Sequence, residues 1–306
     1  MAADLDLDWQ VRLKAFAELR RISETGVVTR EQMDEGFDFQ GQRIPFALKA
    51  RGIWRPALLK SPGVALSVTT ASLRRGVKPK YDDQIGGEGW FEYRYQGTDP
   101  SDWDNVAVRR AFELQRPLVY FYGVGPRLYE AIYPAYVVGD DPAALTFQVA
   151  ADAPGLGLAT IVEGGGTPPL KEYATRQVKV RLHQHRFREL VLGAYGHRCS
   201  ICRLGHTPLL DAAHIIADRD ERGRPEIPNG LSLCKIHHSA YDSNILGITP
   251  LYTVEIREDI LAERDGPMLL HGLQELNNHK LTLPRSSTDN PNPEYLEERY
   301  SAFRAA

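Results

Sequence analysis

The chain has 306 residues, of which 25% are charged and 42% are hydrophobic, and its formal net charge is -3. This length is enough for about two domains, each with its own core. The slightly acidic balance excludes a uniformly basic protein that coats nucleic acid. The three cysteines are too few for a disulfide scaffold and favour a reducing compartment. Because no long apolar run suggests a secretory signal or a membrane span, we expect a cytoplasmic protein.

The charge is distributed unevenly along the chain. Residues 1–170 carry a net charge of -3, residues 171–210 carry +6 and residues 211–306 carry -6. A local cluster of Lys and Arg can neutralise phosphates whatever the charge of the whole chain. The alternative explanation is a solvated helix face.

The N-terminal 40 residues are predicted to be helical. Apolar residues in segment 8–23 recur at helical spacing, with Asp8 as the expected N-cap. Gly26 ends this segment, and Thr29 with Gln32 three residues later forms a capping-box pattern. The two helices could be a helix-turn-helix motif or an N-terminal packing unit. We favour the packing unit because the segment is not basic.

Residues 41–155 have the composition of a β domain. Short apolar or aromatic runs, among them WFEYRY at 90–95 and LVYFYGV at 118–124, are separated by Gly, Pro and Asp. One helical stretch, at 105–115, interrupts the series. Many short strands with one helix indicate a closed or half-closed β-barrel.

A segment rich in Gly, Pro and Ala follows the β domain and contains three consecutive glycines. We interpret residues 156–175 as a linker. The remaining residues, 176–306, are then a second domain, which opens with helical spacing on the basic stretch. The predicted fold class is α+β.

All three cysteines fall within 36 residues of one another. They occur as Cys199-Ser-Ile-Cys202 and as Cys234-Lys-Ile-His237. Two closely spaced ligand pairs of this type suit tetrahedral zinc, so we predict a structural zinc site with Cys199, Cys202, Cys234 and His237 as ligands. A redox Cys-x-x-Cys pair is the alternative, but it leaves Cys234 without a role.

Three further polar residues occupy the segment that the zinc would hold together. The run LLDAAHII is predicted to be a strand that ends near His214, and Asn229-Gly230 is a turn leading into a second strand. His238 then lies on a helix. These elements form a ββα unit with His214, Asn229 and His238 on its strand, turn and helix.

In these residues the sequence resembles the HNH nuclease family, whose fold is a ββα unit around one catalytic divalent metal ion. The resemblance covers roughly residues 195–250. It implies that His214 is the general base, that Asn229 orients the loop and the metal site, and that His238 is a ligand of Mg²⁺ or Mn²⁺. An imidazole with a pKa near neutrality can accept the proton of an attacking water, and a cation can offset charge on the phosphodiester oxygens.

The carboxylate that most members of the family carry directly before the histidine is replaced here by Ala213. Asp211 could assist the metal site or could form a structural cap or salt bridge. Because side chains alternate along a strand, Asp211 is expected on the face opposite His214, and this favours the structural role.

The β domain resembles the SRA (or YDG) family of modified-base readers, which have a PUA-like β-barrel. The residues that match are KYDD at 80–83, WFEY at 90–93, GTD at 97–99, DNVA at 104–107 and PLVY at 117–120. The resemblance implies that Tyr81 and Tyr93 stack on a flipped base and that Asp83 hydrogen-bonds its Watson–Crick edge. Alternatively, Tyr81 and Tyr93 are ordinary alternating residues of a barrel.

Together the two segments resemble SRA–HNH modification-dependent restriction endonucleases. The resemblance implies a zinc-containing, Mg²⁺- or Mn²⁺-dependent enzyme that cleaves double-stranded DNA carrying a modified base such as methylated cytosine. One HNH site cuts one strand, so double-strand cleavage predicts a homodimer. Two alternatives remain open: an unselective or structure-specific HNH nuclease, and a non-catalytic reader of modified DNA.

Overall fold

The computed structural model describes residues 2–49, 51–61, 63–71, 90–151, 182–217, 220 and 222–306. The chain divides into two compact units, Met1–Leu182 and His183–Ala306. The predicted linker at 156–175 lies outside the described residues, as do Tyr81 and Asp83. Both units contain helices and strands, so the chain is of mixed α+β architecture. Within the described ranges, no helix is long and apolar enough to cross a membrane.

The first unit is built on a curled seven-stranded sheet and a separate two-stranded hairpin. The strands are β1 Val27–Thr29, β2 Phe37–Phe39, β3 Gln42–Ile44, β4 Ile53–Trp54, β5 Ser67–Thr69, β6 Phe91–Arg94, β7 Leu118–Gly125, β8 Leu128–Asp141 and β9 Thr146–Ala151. The order in the sheet is β4-β5-β7-β8-β9-β6, with β1 added beside β8, and the hairpin consists of β2 and β3. All are antiparallel to their neighbours except β5 and β7, which are parallel.

The continuous apolar run of β7 is explained by burial on both faces of the sheet. Leu118 and Tyr120 point into one hydrophobic core, whereas Val119 and Phe121 point into another. Every residue of β7 is buried. Successive side chains of a strand point to opposite faces, so a strand covered on both sides has no polar alternation.

Helix α1 spans Ala2–Ile22 and contributes Val11, Ala15 and Leu19 to the second of these cores. The predicted N-cap role of Asp8 is wrong, because the helix begins six residues earlier. Asp8 instead lies inside the helix, fully buried, and pairs with Arg12 at 2.8 Å. Arg12 also donates hydrogen bonds to the carbonyl oxygens of Ala65 and Pro117, which precede β5 and β7, so a buried ion pair anchors α1 to the sheet.

The predicted capping box is confirmed. Helix α2 spans Arg30–Glu35, and the Thr29 side chain accepts a hydrogen bond from the backbone NH of Gln32 while the Gln32 side chain accepts one from the NH of Thr29. Strand β1 separates α1 from α2 and pairs with β8. The N-terminal helices are therefore a packing unit on the sheet and not a helix-turn-helix.

Helix α3, Trp103–Glu113, covers the other face of the sheet. It places Ala107, Val108 and Ala111 in the core that also contains Tyr120. Asp102 caps its first turn by accepting a hydrogen bond from the NH of Asp104. The predicted helix at 105–115 is therefore confirmed, with both its start and its end two residues earlier.

The second unit contains five helices and two short antiparallel sheets among its described residues. Its helices are α4 (182–194), of which the first residue, Leu182, belongs to the first unit, α5 Lys235–Asp242, α6 Glu258–Ala262, α7 Pro267–Gly272 and α8 Pro293–Arg304. Its strands are β10 Leu210–His214, β11 Gly230–Cys234, β12 Leu246–Ile248 and β13 Val254–Ile256. Strand β10 pairs with β11, and α5 follows β11 directly.

Candidate active site and metal-ligand cluster

The β10–β11 hairpin and α5 form the predicted ββα unit. The register aligns Leu210 with Cys234 at one end and His214 with Gly230 at the other. The hairpin therefore places Cys234 next to the cysteine-containing turn and His214 at the opposite end. The cysteine cluster therefore lies at one end of the hairpin, and His214, the candidate base, lies at the other.

Three cysteines and one histidine converge at the first end. The ligand atoms of Cys199, Cys202, Cys234 and His237 all lie within 4.8 Å of one another. The Cys202 and Cys234 sulfurs are 3.9 Å apart, and the Nδ1 atom of His237 is 3.5 Å from Cys199 Sγ and 3.2 Å from Cys234 Sγ. A tetrahedral zinc ion with Zn–S bonds of 2.3 Å has sulfurs about 3.8 Å apart, so the spacing of these donors fits that geometry.

The thiols and the imidazole of the cluster shift one another's pKa values because they are so close. Hydrogen bonds from Cys202 and Cys234 lower the pKa of Cys199 well below its ordinary value, whereas hydrogen bonds to Cys199 and Cys234 raise the pKa of Cys202. Burial lowers the pKa of His237, but hydrogen bonds and charge from Cys199 and Cys234 outweigh it and raise that pKa to about 10. Thiolates and imidazoles packed in this way are the groups that metal ions bind.

The outer nitrogen of His237 has its own partner. The Nε2 atom lies 2.8 Å from the carbonyl oxygen of Gly272, which therefore accepts its proton and leaves Nδ1 free to face the sulfurs. Such a second partner fixes the tautomer and the ring orientation of a metal-binding histidine. The turn carrying Cys199 is attached to the hairpin because the NH of Ser200 donates to the carbonyl oxygen of Ser232 at 2.7 Å.

His214 and His238 line one cleft at the other end of the ββα unit. The cleft has a volume of about 910 Å³. Its described walls come from β10, the loop after it, α5 and α8. The acidic side chains along it are those of Asp220, Asp242 and Glu298. A cleft with two imidazoles and several carboxylates has the donors that a hydrolytic metal site uses.

The ring of His214 is held by helix α4. It stacks on Phe187, with ring centroids 3.9 Å apart and an angle of 18° between the planes. Gly230, opposite His214, is required here because a Cβ atom at that position would lie 2.4 Å from Val191 Cγ2 and 2.9 Å from Phe187 Cζ. The absence of a side chain at Gly230 therefore lets α4 approach the hairpin closely enough to contact the histidine.

Asn229 is fully buried and fastens the loop that leaves β10. Its Oδ1 accepts from the NH of Ile216 at 2.9 Å, and its Nδ2 donates to the carbonyl oxygens of Ile216 and Arg224. The backbone of Asn229 also accepts from the NH of Ile215. These bonds close the loop from 215 to 229 directly after His214. The predicted role of Asn229 in orienting this loop accords with these contacts and stays a prediction.

His238 lies between two carboxylates. Its Nδ1 atom is 3.3 Å from Asp211 Oδ2, and its Nε2 atom is 3.3 Å from Asp242 Oδ2. Asp211 also accepts from Lys235 Nζ at 2.7 Å. Burial raises the pKa of Asp211, but the hydrogen bonds from Lys235 and His238 outweigh it, so the pKa lies below its ordinary value. Asp211 is therefore a charged partner that fixes the His238 ring.

Among the residues that line the cleft, Asp242 and Arg299 were given no role in the sequence analysis. Asp242 lies one helical turn after His238, and this spacing of four residues on a helix is the pattern that could have revealed it. Arg299 comes from α8, more than fifty residues further on. Its guanidinium donates to the Tyr241 carbonyl oxygen and to Asn244 Oδ1, and it lies 4.7 Å from the centre of the Tyr241 ring.

The basic stretch at 171–210 is described only from residue 182 onward. Arg188 there donates to the carbonyl oxygens of Thr207 and Leu210, and Arg198 donates to that of Arg203. These arginines support the turns beside the cysteine cluster. Contact of the stretch with phosphate stays a prediction.

Tyr93, assigned by resemblance to a base pocket, lies on β6 in the core of the first unit. It is 5% exposed, and its ring stands perpendicular to that of Tyr120 at 6.0 Å. Its hydroxyl lies against Gly52, where a Cβ atom would be only 2.8 Å away. With Tyr81 and Asp83 outside the described residues, the base pocket stays a prediction.

The segment that contains the cysteine cluster, His214 and His238 matches a known protein family. A family model of HNH endonucleases matches residues 199–249. This segment is an HNH endonuclease domain. The match begins at Cys199 and includes Cys202, His214, Asn229, the cysteine–histidine pair at 234–237 and His238. Asp242 also falls within it, whereas Phe187 and Arg299 lie outside.

Three chains among solved structures match this sequence. One of them is described as a modification-dependent TagI restriction endonuclease, and the similarity to it has 16% sequence identity and a TM-score of 0.27. The similarity covers 78% of this chain and 81% of that one. No match was found among curated proteins.

Proposed function

We propose that the chain is a metal-dependent DNA endonuclease that hydrolyses phosphodiesters in duplexes carrying a modified base, with methylated cytosine as the expected modification. The observation that carries the nuclease assignment is the cleft of the HNH domain, which His214 and His238 line together. The selectivity for a modified base rests on the resemblance of residues 80–120 to the SRA readers.

His214 is the proposed general base. It accepts a proton from the water that attacks phosphorus. The bond from phosphorus to the leaving oxygen then breaks, and this oxygen takes up a proton from solvent, which gives a phosphomonoester and an alcohol. An imidazole suits this role because its ordinary pKa is close to neutral pH. The stacked Phe187 ring restricts rotation of the His214 ring and so holds the reacting nitrogen in one orientation.

His238 and Asp242 are the proposed ligands for Mg²⁺ or Mn²⁺. Their Nε2 and Oδ2 atoms lie 3.3 Å apart and are close enough to share one ion. Asp242 offers the carboxylate that Ala213 does not supply, and hard cations such as Mg²⁺ and Mn²⁺ prefer carboxylate oxygens. A bound divalent cation supplies compensation for the charge that develops on the phosphodiester oxygens.

The cysteine cluster is proposed to hold structural zinc. Three thiols and one imidazole leave no open position for a substrate in tetrahedral coordination, which distinguishes a structural zinc site from a catalytic one. The cluster joins the turn at 199–202 to β11 and α5. In this role the metal would hold the scaffold on which His214 and His238 are placed.

The first unit is proposed to read the modified base, with a PUA-like barrel formed by its curled sheet. Tyr81 and Tyr93 would stack on the flipped base, and Asp83 would bind its Watson–Crick edge. A homodimer would supply two HNH sites for the two strands.

The decisive experiment compares cleavage of methylated and unmodified DNA of one sequence, each with Mg²⁺, with Mn²⁺ and with EDTA. Selective, metal-dependent cleavage of methylated DNA is expected. His214→Ala should abolish cleavage while leaving folding and DNA binding intact, whereas His206→Ala, at an exposed histidine of the same domain, should cleave normally.

The other outcomes distinguish the two remaining alternatives. Equal cleavage of both DNAs would show an unselective or structure-specific nuclease. Binding of methylated DNA without cleavage under any metal condition would show a non-catalytic reader. Full nicking activity in His214→Ala would refute the assignment of the base.

A further inference from the structure

An exposed tryptophan on the first unit is flanked by arginines. Trp103 is the first residue of α3, and 43% of its surface is exposed. The guanidinium carbon of Arg51 lies 4.2 Å from the centre of the indole ring, and that of Arg55 lies 5.2 Å from it. Both distances are in the range of cation–π contacts, so the two side chains are held beside the indole.

A third arginine comes from the same helix. Arg110 lies seven residues after Trp103, two helical turns away and therefore on the same face of α3. A Cβ atom on Gly63 would lie 3.3 Å from Arg110 Nη1 and 3.4 Å from Arg55 Nη1. The two guanidinium groups therefore approach the same point above Gly63. We refer to Arg51, Arg55, Trp103 and Arg110 as the arginine–tryptophan surface.

One carboxylate that contacts this surface, that of Asp104, is largely covered. Asp104 Oδ1 lies 3.6 Å from Arg51, but Asp104 is only 5% exposed, and burial raises its pKa. Two exposed arginines elsewhere on the first unit are arranged differently. Arg43 pairs with Glu35 at 2.9 Å, and Arg127 pairs with Glu31, in each case between two exposed side chains. The arginine–tryptophan surface thus concentrates positive charge in a chain whose net charge is -3.

The chemistry of these groups matches a sugar–phosphate backbone. Guanidinium groups bind phosphate oxygens through paired hydrogen bonds, and an exposed indole packs on sugars and bases. We propose that the arginine–tryptophan surface binds the DNA backbone and holds the duplex on the first unit without regard to base sequence. This proposal rests on the proposed DNA endonuclease activity, and it assigns contact with the DNA backbone to residues that have no proposed role in the HNH domain or in binding the base.

The test uses the full chain with Arg51, Arg55 and Arg110 all changed to Gln. The matched control changes Arg20, Arg43 and Arg127 to Gln, which removes the same charge from exposed positions of the same unit. Binding of methylated and unmodified duplexes is measured by fluorescence anisotropy in EDTA over a range of KCl concentrations. Each lost phosphate contact reduces the salt slope by about 0.9.

The surface variant is expected to lose two to three units of salt slope and roughly 100-fold in affinity for both duplexes near physiological salt. The control should keep the slope of the unaltered chain. Trp103→Ala should weaken binding of both duplexes, and Trp103→Phe should restore most of it. A salt slope in the surface variant equal to that of the control would overturn the proposal.

Cleavage by the same proteins separates this proposal from the proposed function. At low salt, the control variant should cut as fast as the unaltered chain, whereas the surface variant should need a higher DNA concentration to cut, because its DNA affinity is lower although its HNH domain is unchanged. If the unaltered chain binds DNA with a steep salt slope but never cuts, the proposed nuclease activity fails while the surface proposal stands or falls on the slopes alone. Thermal unfolding of each variant checks that loss of binding is not loss of fold.

Discussion

His214 and Phe187 form a stacked pair, with ring centroids 3.9 Å apart and an angle of 18° between the planes. Phe187 is 2% exposed and lies on α4, whereas His214 is the last residue of β10. The helix that precedes the cysteine cluster thus supports the candidate base directly. Since Phe187 lies before residue 199, this support comes from outside the matched HNH segment.

We expect Phe187→Leu to slow DNA cleavage by roughly 10–100-fold with little change in DNA affinity. Leucine keeps most of the apolar volume but removes the flat ring that orients His214, and small misplacements of a reacting group cost rates of this order. Single-turnover cleavage at saturating DNA measures the effect. Phe187→Tyr keeps the ring and should retain more activity than Phe187→Leu, and equal rates in both variants would contradict a role for the stacking.

The sequence predicted which residues form the site better than it predicted the tertiary contacts between them. The spacing of Cys199, Cys202, Cys234 and His237 identified a ligand cluster because each ligand pair is local, within three residues. The contact of Phe187 with His214 could not be predicted in this way. It depends on how closely α4 approaches the hairpin, and Gly230 permits that approach only in the folded structure.

The start of α1 shows the same limit for the fold. Asp8 has the residue type and position of an N-cap, but its carboxylate is fully buried beside Arg12. The Asp8–Arg12 pair lies within the helix, but its burial depends on distant residues: Arg116 lies 3.4 Å from Asp8, and Arg12 donates to the carbonyl oxygens of Ala65 and Pro117. These tertiary contacts outweigh the local capping preference, and the helix continues toward the N-terminus. In contrast, the capping box of Thr29 and Gln32 is satisfied by residues three apart, and the prediction was confirmed.

Cys199→Ser is expected to abolish zinc binding and to unfold the second unit. The binding free energy of zinc by such a cluster is also folding free energy, on the order of 10 kcal/mol. Zinc content per chain and limited proteolysis measure the two effects, and the first unit should resist the protease. Ser200→Ala is the matched control, because the buried hydroxyl of this neighbouring residue has no hydrogen-bond partner among the described residues.

Retention of one zinc ion per chain by Cys199→Ser would contradict the ligand assignment. So would a second unit that is folded and protease-resistant without metal. Prolonged chelation of the unaltered chain should reproduce the pattern of the variant, with the second unit cleaved and the first preserved.

We expect Asp211→Asn to raise the Mg²⁺ concentration needed for half-maximal cleavage by roughly 10–100-fold, the usual range for a residue that orients a metal-binding histidine. The carboxylate fixes Nδ1 of His238 and leaves Nε2 facing Asp242. Lys235→Gln is the control, since it removes the other partner of Asp211 but leaves the contact with His238. An unchanged Mg²⁺ dependence in Asp211→Asn would contradict this role.

Asp211 also predicts a pH dependence of stability. Its pKa is lower in the folded chain than its ordinary value, so it binds protons more weakly in the folded state. The resulting stabilisation is present above the unfolded pKa, near 4, and is lost as the pH falls through the lower folded value. Urea unfolding of the second unit at pH 7 and at pH 3 should therefore show a smaller difference in Asp211→Asn than in the unaltered chain.

Arg299→Gln is expected to destabilise the second unit by about 2–3 kcal/mol, because a charged donor is lost and the carbonyl oxygen of Tyr241 loses a partner. Arg299 fixes the end of α5 through Tyr241 and the residue Asn244, and Asp242 lies between these two contacts. We therefore also expect Arg299→Gln to need a higher Mg²⁺ concentration for half-maximal cleavage, measured by Mg²⁺ titration at saturating DNA. Arg299→Lys should regain only part of the lost stability and Mg²⁺ affinity, since lysine cannot donate in the same planar geometry. Arg304→Gln, at an exposed arginine of the same helix, should behave as the unaltered chain. A loss of stability in Arg299→Gln with an unchanged Mg²⁺ titration would limit Arg299 to a structural role.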